Sequence, residues 1–239
     1  MEITMRPMTA EEAWDFIIST HINFHGTLKY FGYTTGAFIP DSDDIREMFN
    51  NENLTNSDLQ KYHDIFVNQI YDEKKLRKFD NVFAIDVKPH LERMIDKFLL
   101  PLIPSWNAVL PKRLEILCTY GFGSGYWRKS DDIAVVRFRI SESLDNKYGI
   151  FNTLFHEFVH LLIEKPIIQK YDVPQDLKER IVDLICCEFT DIPSQKAFEN
   201  SFANKYITPE AIKTNLPVAV QNMMADYNVS RCVDSGKHL

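Results

Sequence analysis

The segment His156-Glu157-Phe158-Val159-His160 carries the residue types best suited to chemistry in this chain of 239 residues. Two histidines four residues apart lie one above the other on a helix face, so both imidazoles can reach a single ion. The glutamate between them can take a proton from a metal-activated water. The HExxH pattern therefore predicts one Zn2+ ion per chain, with His156 and His160 as ligands and Glu157 as the general base.

The helix that must carry this motif, residues 150–164, is apolar around most of its circumference. At 100° per residue its polar residues fall within an arc of roughly 140°. They are Asn152, Thr153, His156, Glu157, His160 and Glu164. Burying two histidines and a glutamate without partners is costly, and a cation with its water satisfies all three. The alternative is a stripe that faces solvent, but such faces usually carry Lys and Arg, and the first basic residue here is Lys165.

A catalytic zinc ion usually takes three protein ligands, and the candidate for the third is Glu179. Glu179 and Asp183 are spaced i, i+4 and share one face of a second predicted helix. Glu188, on the more apolar side of that helix, is a rival ligand. A solvated charged face is the alternative for the first two carboxylates.

HExxH followed at this distance by ExxxD resembles the gluzincins, the thermolysin-like zinc metallopeptidases. The resemblance implies that His156, His160 and Glu179 bind zinc. It also implies that Glu157 is the general base and that Asp183 orients His156 as a hydrogen-bond acceptor. The reaction implied is hydrolysis of a peptide or protein substrate. The chain has neither the GxMEN segment of the well-known aminopeptidases nor the Gly and third His that metzincins carry after HExxH.

Peptide hydrolysis also needs a donor for the developing oxyanion. Tyr171 lies between the two ligand helices, and thermolysin-like enzymes carry a tyrosine at a similar place. The other candidates for this donor are Tyr206, Tyr227, Arg231 and His238.

Two other functions remain open. Peptide deformylase also uses HExxH with a cysteine some forty residues upstream, and Cys118 precedes His156 by 38 residues. Its surroundings (ILCTY) differ from the deformylase pattern, and a buried cysteine in a strand is the simpler interpretation. A regulatory or binding protein on a zincin scaffold is the other alternative, although an intact Glu157 argues against it.

Composition and charge narrow the partners. The chain has 34 acidic residues against 27 Lys and Arg, a net charge of −7, which disfavours nucleic acids and anionic membrane surfaces as partners. The most apolar stretch, residues 98–111, contains three prolines and cannot span a bilayer as a helix. No signal-peptide pattern opens the chain, and the four cysteines form no CxxC pair. We expect a cytoplasmic protein that binds neither nucleic acid nor membrane.

The first half of the chain is typical of helices. Thr9 and Glu12 form a capping-box pattern, Ser57 can open a second helix, and a third is expected over about 87–100, ending at Pro101. Residues 1–110 are therefore expected to be a helical N-terminal region, either a cap or lobe or part of one domain with the rest.

Residues 111–239 are expected to form a zincin-like catalytic region. Strands are predicted at 113–120 and 133–140, with a Gly-rich loop at 121–130 between them. Helices are predicted near 148–164, 174–190, 194–203 and 208–224. The fold class is α+β and zincin-like, mostly helical, with a small mixed sheet preceding the HExxH helix. The strand at 133–140 is either an edge strand that binds substrate backbone or an internal strand.

Overall fold

A small mixed sheet of four strands lies at the centre of the fold. The computed structural model describes residues 1–25, 42–120, 124–127, 132–139, 147–191 and 201–234. The strands are β1 (Glu2–Pro7), β2 (Arg113–Thr119), β3 (Ser124–Trp127) and β4 (Ile133–Arg139). Their order in the sheet is β1-β2-β4-β3, with β3 antiparallel to β4 and the other neighbours parallel. Together with the helices, this confirms an α+β fold that is mostly helical.

Two strands differ from the expectations. β1 lies in a region predicted to be helical, and it pairs with β2, more than a hundred residues away. β3 takes four residues of the predicted loop at 121–130, while 121–123 and 128–130 lie outside the described residues. Because β3 covers the outer side of β4, β4 is an internal strand, which decides between the two alternatives left open for residues 133–140.

Eleven α-helices are present in the described part of the chain. They are α1 (Ala10–Asn23), α2 (Asp43–Asn50), α3 (Asn56–Ile65), α4 (Glu73–Arg77), α5 (Asp80–Val82), α6 (Lys88–Met94), α7 (Ile103–Trp106), α8 (Lys147–Ile163), α9 (Gln175–Phe189), α10 (Pro209–Thr214) and α11 (Leu216–Asp234). Wider π-helical turns occur at Phe66–Ile70, Phe83–Val87, Ile95–Leu99 and Glu164–Gln169. Single 3₁₀ turns occur at Leu100–Leu102 and Phe202–Lys205.

The helices occur where the sequence pattern predicts them, but several begin or end at other residues. The capping box of Thr9 and Glu12 is confirmed at α1. α3 is capped by Thr55 rather than opened at Ser57. The helical run expected to stop at Pro101 continues to Trp106, because proline is tolerated in the first turn of the 3₁₀ segment that carries it.

The predicted helices around the motif are found within one residue, as α8 and α9. The predicted helix 208–224 is two helices, α10 and α11, separated at Asn215. Most of the helix predicted near 194–203 lies outside the described residues, and residues 202–205 form a 3₁₀ turn.

The two faces of the sheet belong to two apolar cores. On one face Leu117 and Val135 join a cluster with Trp14, Phe49 and Phe66 of the first helices and the turn after α3. These helices therefore cover the sheet on the side away from α8.

On the opposite face Ile116 and Val136 join the larger core, together with Phe155 and Phe158 of α8. The run from Phe79 to Trp106 contributes to the same core. The region before residue 110 thus packs on both faces of the sheet, and β1 extends the sheet itself. No helix among the described residues combines the length and apolar character of a transmembrane span.

The substitution Glu12→Gln tests the ion-pair cluster that joins β1, β2 and α1. Arg6 donates hydrogen bonds to both carboxylate oxygens of Glu12, at 2.6 and 2.7 Å, and to Glu115 at 2.9 Å. The hydrogen bonds from Arg6 lower the pKa of Glu12 to about 2. Since this pKa is below that of the unfolded chain, ionised Glu12 stabilises the fold above about pH 4.5 and this contribution is lost as the pH falls toward 2.

Gln can still complete the capping box but cannot pair with Arg6 as an anion. We expect urea unfolding to show a loss of about 0.5 kcal/mol at pH 7, discounted for the partial exposure of the pair. The difference from wild type should shrink between pH 4.5 and 2. A difference that stays constant over this range would contradict the ion-pair contribution.

Candidate metal centre

Helix α8 holds the HExxH motif with its apolar sides buried. Phe155, Phe158 and Val159 are buried, whereas the side chains of His156 and His160 are only partly buried, at 22% and 11% exposed. α8 packs against β3 and β4 on one side and against α9 on another. The narrow polar stripe inferred from the sequence therefore lies where α8 meets α9.

Three donor atoms converge between these helices. Nε2 of His160 lies 2.9 Å from Nε2 of His156 and 3.3 Å from Oε2 of Glu179, and the distance from His156 Nε2 to the same oxygen is 3.7 Å. Ligands about 2.1 Å from a tetrahedral zinc ion are roughly 3.3 Å apart, so the three separations bracket the expected value. His156, His160 and Glu179 are a group that could hold a metal ion.

The carboxylate of Glu179 is held by two different sets of contacts. Its Oε1 accepts a hydrogen bond of 2.6 Å from the side-chain amide of Gln175, one turn earlier in α9. Its Oε2 is left to face the two imidazoles. Burial raises the pKa of Glu179, but the contacts with His156 and His160 more than offset this, so its pKa is well below the usual range. An ionised carboxylate is the form that binds a metal.

Glu157 stands beside the two histidines and has a different environment. Burial raises the pKa of its carboxyl group, and the nearby His160 and His156 only partly counter this effect. A raised pKa brings a carboxylate closer to neutrality, which suits a group that accepts and returns protons.

A salt bridge links the π-helical turn that follows α8 to the first turn of α9. Nζ of Lys178 lies 2.9 Å from Glu164, and both side chains are partly buried. Lys178 precedes Glu179, and Glu164 follows His160 by one helical turn. The contact therefore fixes the two ligand-bearing segments relative to each other close to the donor atoms.

Asp183 is buried at 3% exposure, and its carboxylate pairs with Arg180 in the same helix. Arg180 also donates a hydrogen bond of 2.6 Å to Asn204. These contacts connect α9 to the 3₁₀ turn that follows it in the described chain. The expected role of Asp183 in orienting His156 stays a prediction.

The candidates for an oxyanion donor are dispersed. Tyr171 lies in the turn between the π-helical segment and α9, with the Lys170 ammonium 5.1 Å from its ring centroid, and its catalytic role stays a prediction. The hydroxyl of Tyr206 pairs with Asp226, and the Tyr227 ring packs against Phe202. The side chains of Arg231 and His238 lie outside the described residues.

Two rival ligands are placed away from the donor group. Glu188 forms a salt bridge with Lys213, and it does not belong to the His156 group among the residues described. Cys118 is a buried residue of strand β2, where burial raises the pKa of its thiol to about 12. It does not join that group either, which disfavours a deformylase-like ligand set.

Sequence reasoning missed Gln175, although its spacing of four residues before Glu179 is a recognisable signal for a contact on one helix face. It also missed the role of Glu164 as a partner of Lys178. Gln175 and Glu164 hold the ligand-bearing segments in position, and neither belongs to the group of three donors.

The comparisons with known proteins identify neither a family nor a function for this chain. No protein-family model matches the chain, and no curated protein and no solved structure matches it. The function must therefore be argued from the site.

Metal content tests the donor group directly. We expect freshly purified wild-type protein to contain one metal ion per chain, and His156→Ala and Glu179→Ala to lose most of it, because each removes one of three ligands. Glu188→Ala, which removes a carboxylate from the same helix outside the group, should keep the metal. Elemental analysis measures the metal content of the wild type and of the three variants. If His156→Ala and Glu179→Ala keep as much metal as Glu188→Ala, the site is disproved.

Gln175→Ala tests whether the amide positions Glu179. Removing a group that orients a metal ligand typically weakens metal affinity 10- to 100-fold, so we expect about a tenfold loss in a chelator competition titration. Gln60→Ala is the matched control, since that amide makes the same i, i+4 contact, to Asp64 at 2.9 Å in α3, and Asp64 is not one of the three candidate ligands. Unchanged affinity in Gln175→Ala would show that Glu179 needs no such support.

Proposed function

We propose that the protein is a zinc-dependent peptidase with Glu157 as its general base. The observation that carries this proposal is the convergence of His156, His160 and Glu179 on one point, with Glu157 beside them in the same helix. Two imidazoles and a carboxylate are a donor set typical of hydrolytic zinc sites, in which a fourth position stays open for water.

The donor set fits zinc in both chemistry and spacing. Imidazole nitrogens suit zinc, and the partly buried ionised Glu179 supplies a negative charge that favours a divalent cation. When bound, zinc acts as a Lewis acid and makes water a stronger acid.

In this proposal Glu157 transfers the proton. Its carboxylate accepts a proton from the attacking water and returns it to the leaving amine. Partial burial keeps bulk water away from the Glu157 carboxylate. Its electrostatic interactions with the groups that exchange the proton are therefore stronger than they would be in water. Tyr171 is the proposed donor to the oxyanion, by resemblance to the thermolysin-like enzymes.

The edge strand β3 supports a peptide as the substrate. β3 packs against α8, and its outer side is not paired with another strand in the described part of the sheet. An extended peptide can add to such an edge through main-chain hydrogen bonds. The sequence had offered the strand at 133–140, now β4, as one candidate for this part, and we propose β3 instead.

Glu157→Gln is the decisive variant, because it keeps the shape of the side chain and removes its basicity. We expect hydrolysis of a peptide library to fall by 10² to 10⁴-fold, with the zinc content unchanged. Cleavage is measured by mass spectrometry of the library after incubation.

The matched control is Glu188→Gln, which should keep wild-type activity. A wild-type protein that binds zinc but cleaves no peptide would refute the peptidase proposal. It would favour a binding or regulatory role for the metal centre instead.

A further inference from the structure

An apolar pocket of about 240 Å³ lies beside the end of β3 and the end of α8. Its lining includes Val109, Trp127, Leu161, Leu162 and Pro166. Liquid water occupies about 30 Å³ per molecule, so the pocket has room for one large side chain. It is smaller than the roughly 300–1,000 Å³ of pockets that enclose whole small molecules.

The side chains of β3 alternate between two faces, as in any strand. On the α8 face, a Cβ atom placed on Gly125 would lie 3.1 Å from Cγ of Leu161, and the indole of Trp127 donates a hydrogen bond of 3.0 Å to the Leu161 carbonyl. On the other face, Arg137 lies 3.4 Å from the Ser124 hydroxyl and stacks 4.5 Å from the Tyr126 ring centroid. The pocket therefore opens on the same face of β3 as α8.

β3 and α8 run in the same direction where they pack against each other. Gly125 lies against Leu161, and two residues later the Trp127 ring is 5.9 Å from the Lys165 ammonium, one helical turn further on. Glu157 lies one turn before Leu161, toward the beginning of β3. The helix rise and the strand rise together place the pocket roughly 12 Å from Glu157, or about four residues of an extended chain.

We propose that this pocket binds a large aliphatic or aromatic side chain of the peptide substrate, about four residues to the amino side of the cleaved bond. The inference rests on the proposed peptidase function. A peptide added antiparallel to β3, the more stable pairing, runs from the pocket toward Glu157. Every second side chain of such a peptide points to the α8 face, where the pocket is the apolar space that meets it.

Val109→Trp tests the pocket without touching the metal centre. Val109 is 67% exposed at the pocket wall, so a larger side chain there can narrow the pocket while the fold is kept. Val229→Trp is the matched control, because Val229 is 59% exposed on α11 and does not line the pocket. Zinc content is measured in both variants to confirm that the centre is intact.

The substrates are peptides with one cleavage site found in the library. They differ only at the third to fifth residues on the amino side, where Leu or Phe is compared with Ser or Asp. We expect wild type and Val229→Trp to cleave the apolar peptides with about tenfold higher kcat/KM, and Val109→Trp to lose this preference. Cleavage without an apolar preference, a preference only on the carboxyl side, or a preference that survives Val109→Trp would overturn the pocket and leave the peptidase proposal standing.

A binding measurement keeps the test independent of catalysis. The same peptides are titrated into zinc-loaded Glu157→Gln protein, with and without Val109→Trp, and tryptophan fluorescence reports their affinity. About tenfold tighter binding of the apolar peptides, lost with Val109→Trp, supports the pocket independently of the measured rates of cleavage. Equal affinities for all the peptides would overturn it.

Discussion

The contact between α8 and α9 brings two imidazoles and a carboxylate within 3.7 Å of one another, and this arrangement constrains everything around it. Partly buried polar groups of this kind need a compensating charge, whether protons on the histidines or a metal ion. The apolar sides of both helices are committed to the main core, so the polar stripe has no freedom to turn away from α9. The salt bridge of Lys178 with Glu164 joins the two ligand-bearing segments directly, and the sheet supports α8 from the other side.

The sequence was most informative where the signal is local. The polar arc of α8 and the capping box of α1 both depend on spacing within one or two helical turns. Spacing within one helix singled out His156 and His160, whereas Glu179 was preferred over Glu188 for its distance from the motif and its pairing with Asp183.

The strands were harder to predict because their pairing is not local. β1 pairs with β2 across more than a hundred residues, and nothing in EITMRP alone distinguishes a parallel strand from the start of a helix. β3 has only four residues, one of them a glycine, so its strand character depends on pairing with β4 and on the close approach of Gly125 to Leu161. The roles of Tyr171 and Asp183 depend on side-chain directions that neither periodicity nor spacing determines.

The separation between local and distant contacts has a consequence for the order of folding. The three donors lie within 24 residues of sequence, on two helices joined by one turn region, so little chain entropy is lost in bringing them together. The sheet closes only when the first strand returns to a partner more than a hundred residues away, which is the slower event. If this group holds a metal ion, the helical hairpin of α8 and α9 can capture it before the sheet is complete, so that the ion would guide assembly of the nascent chain as well as occupy the finished protein.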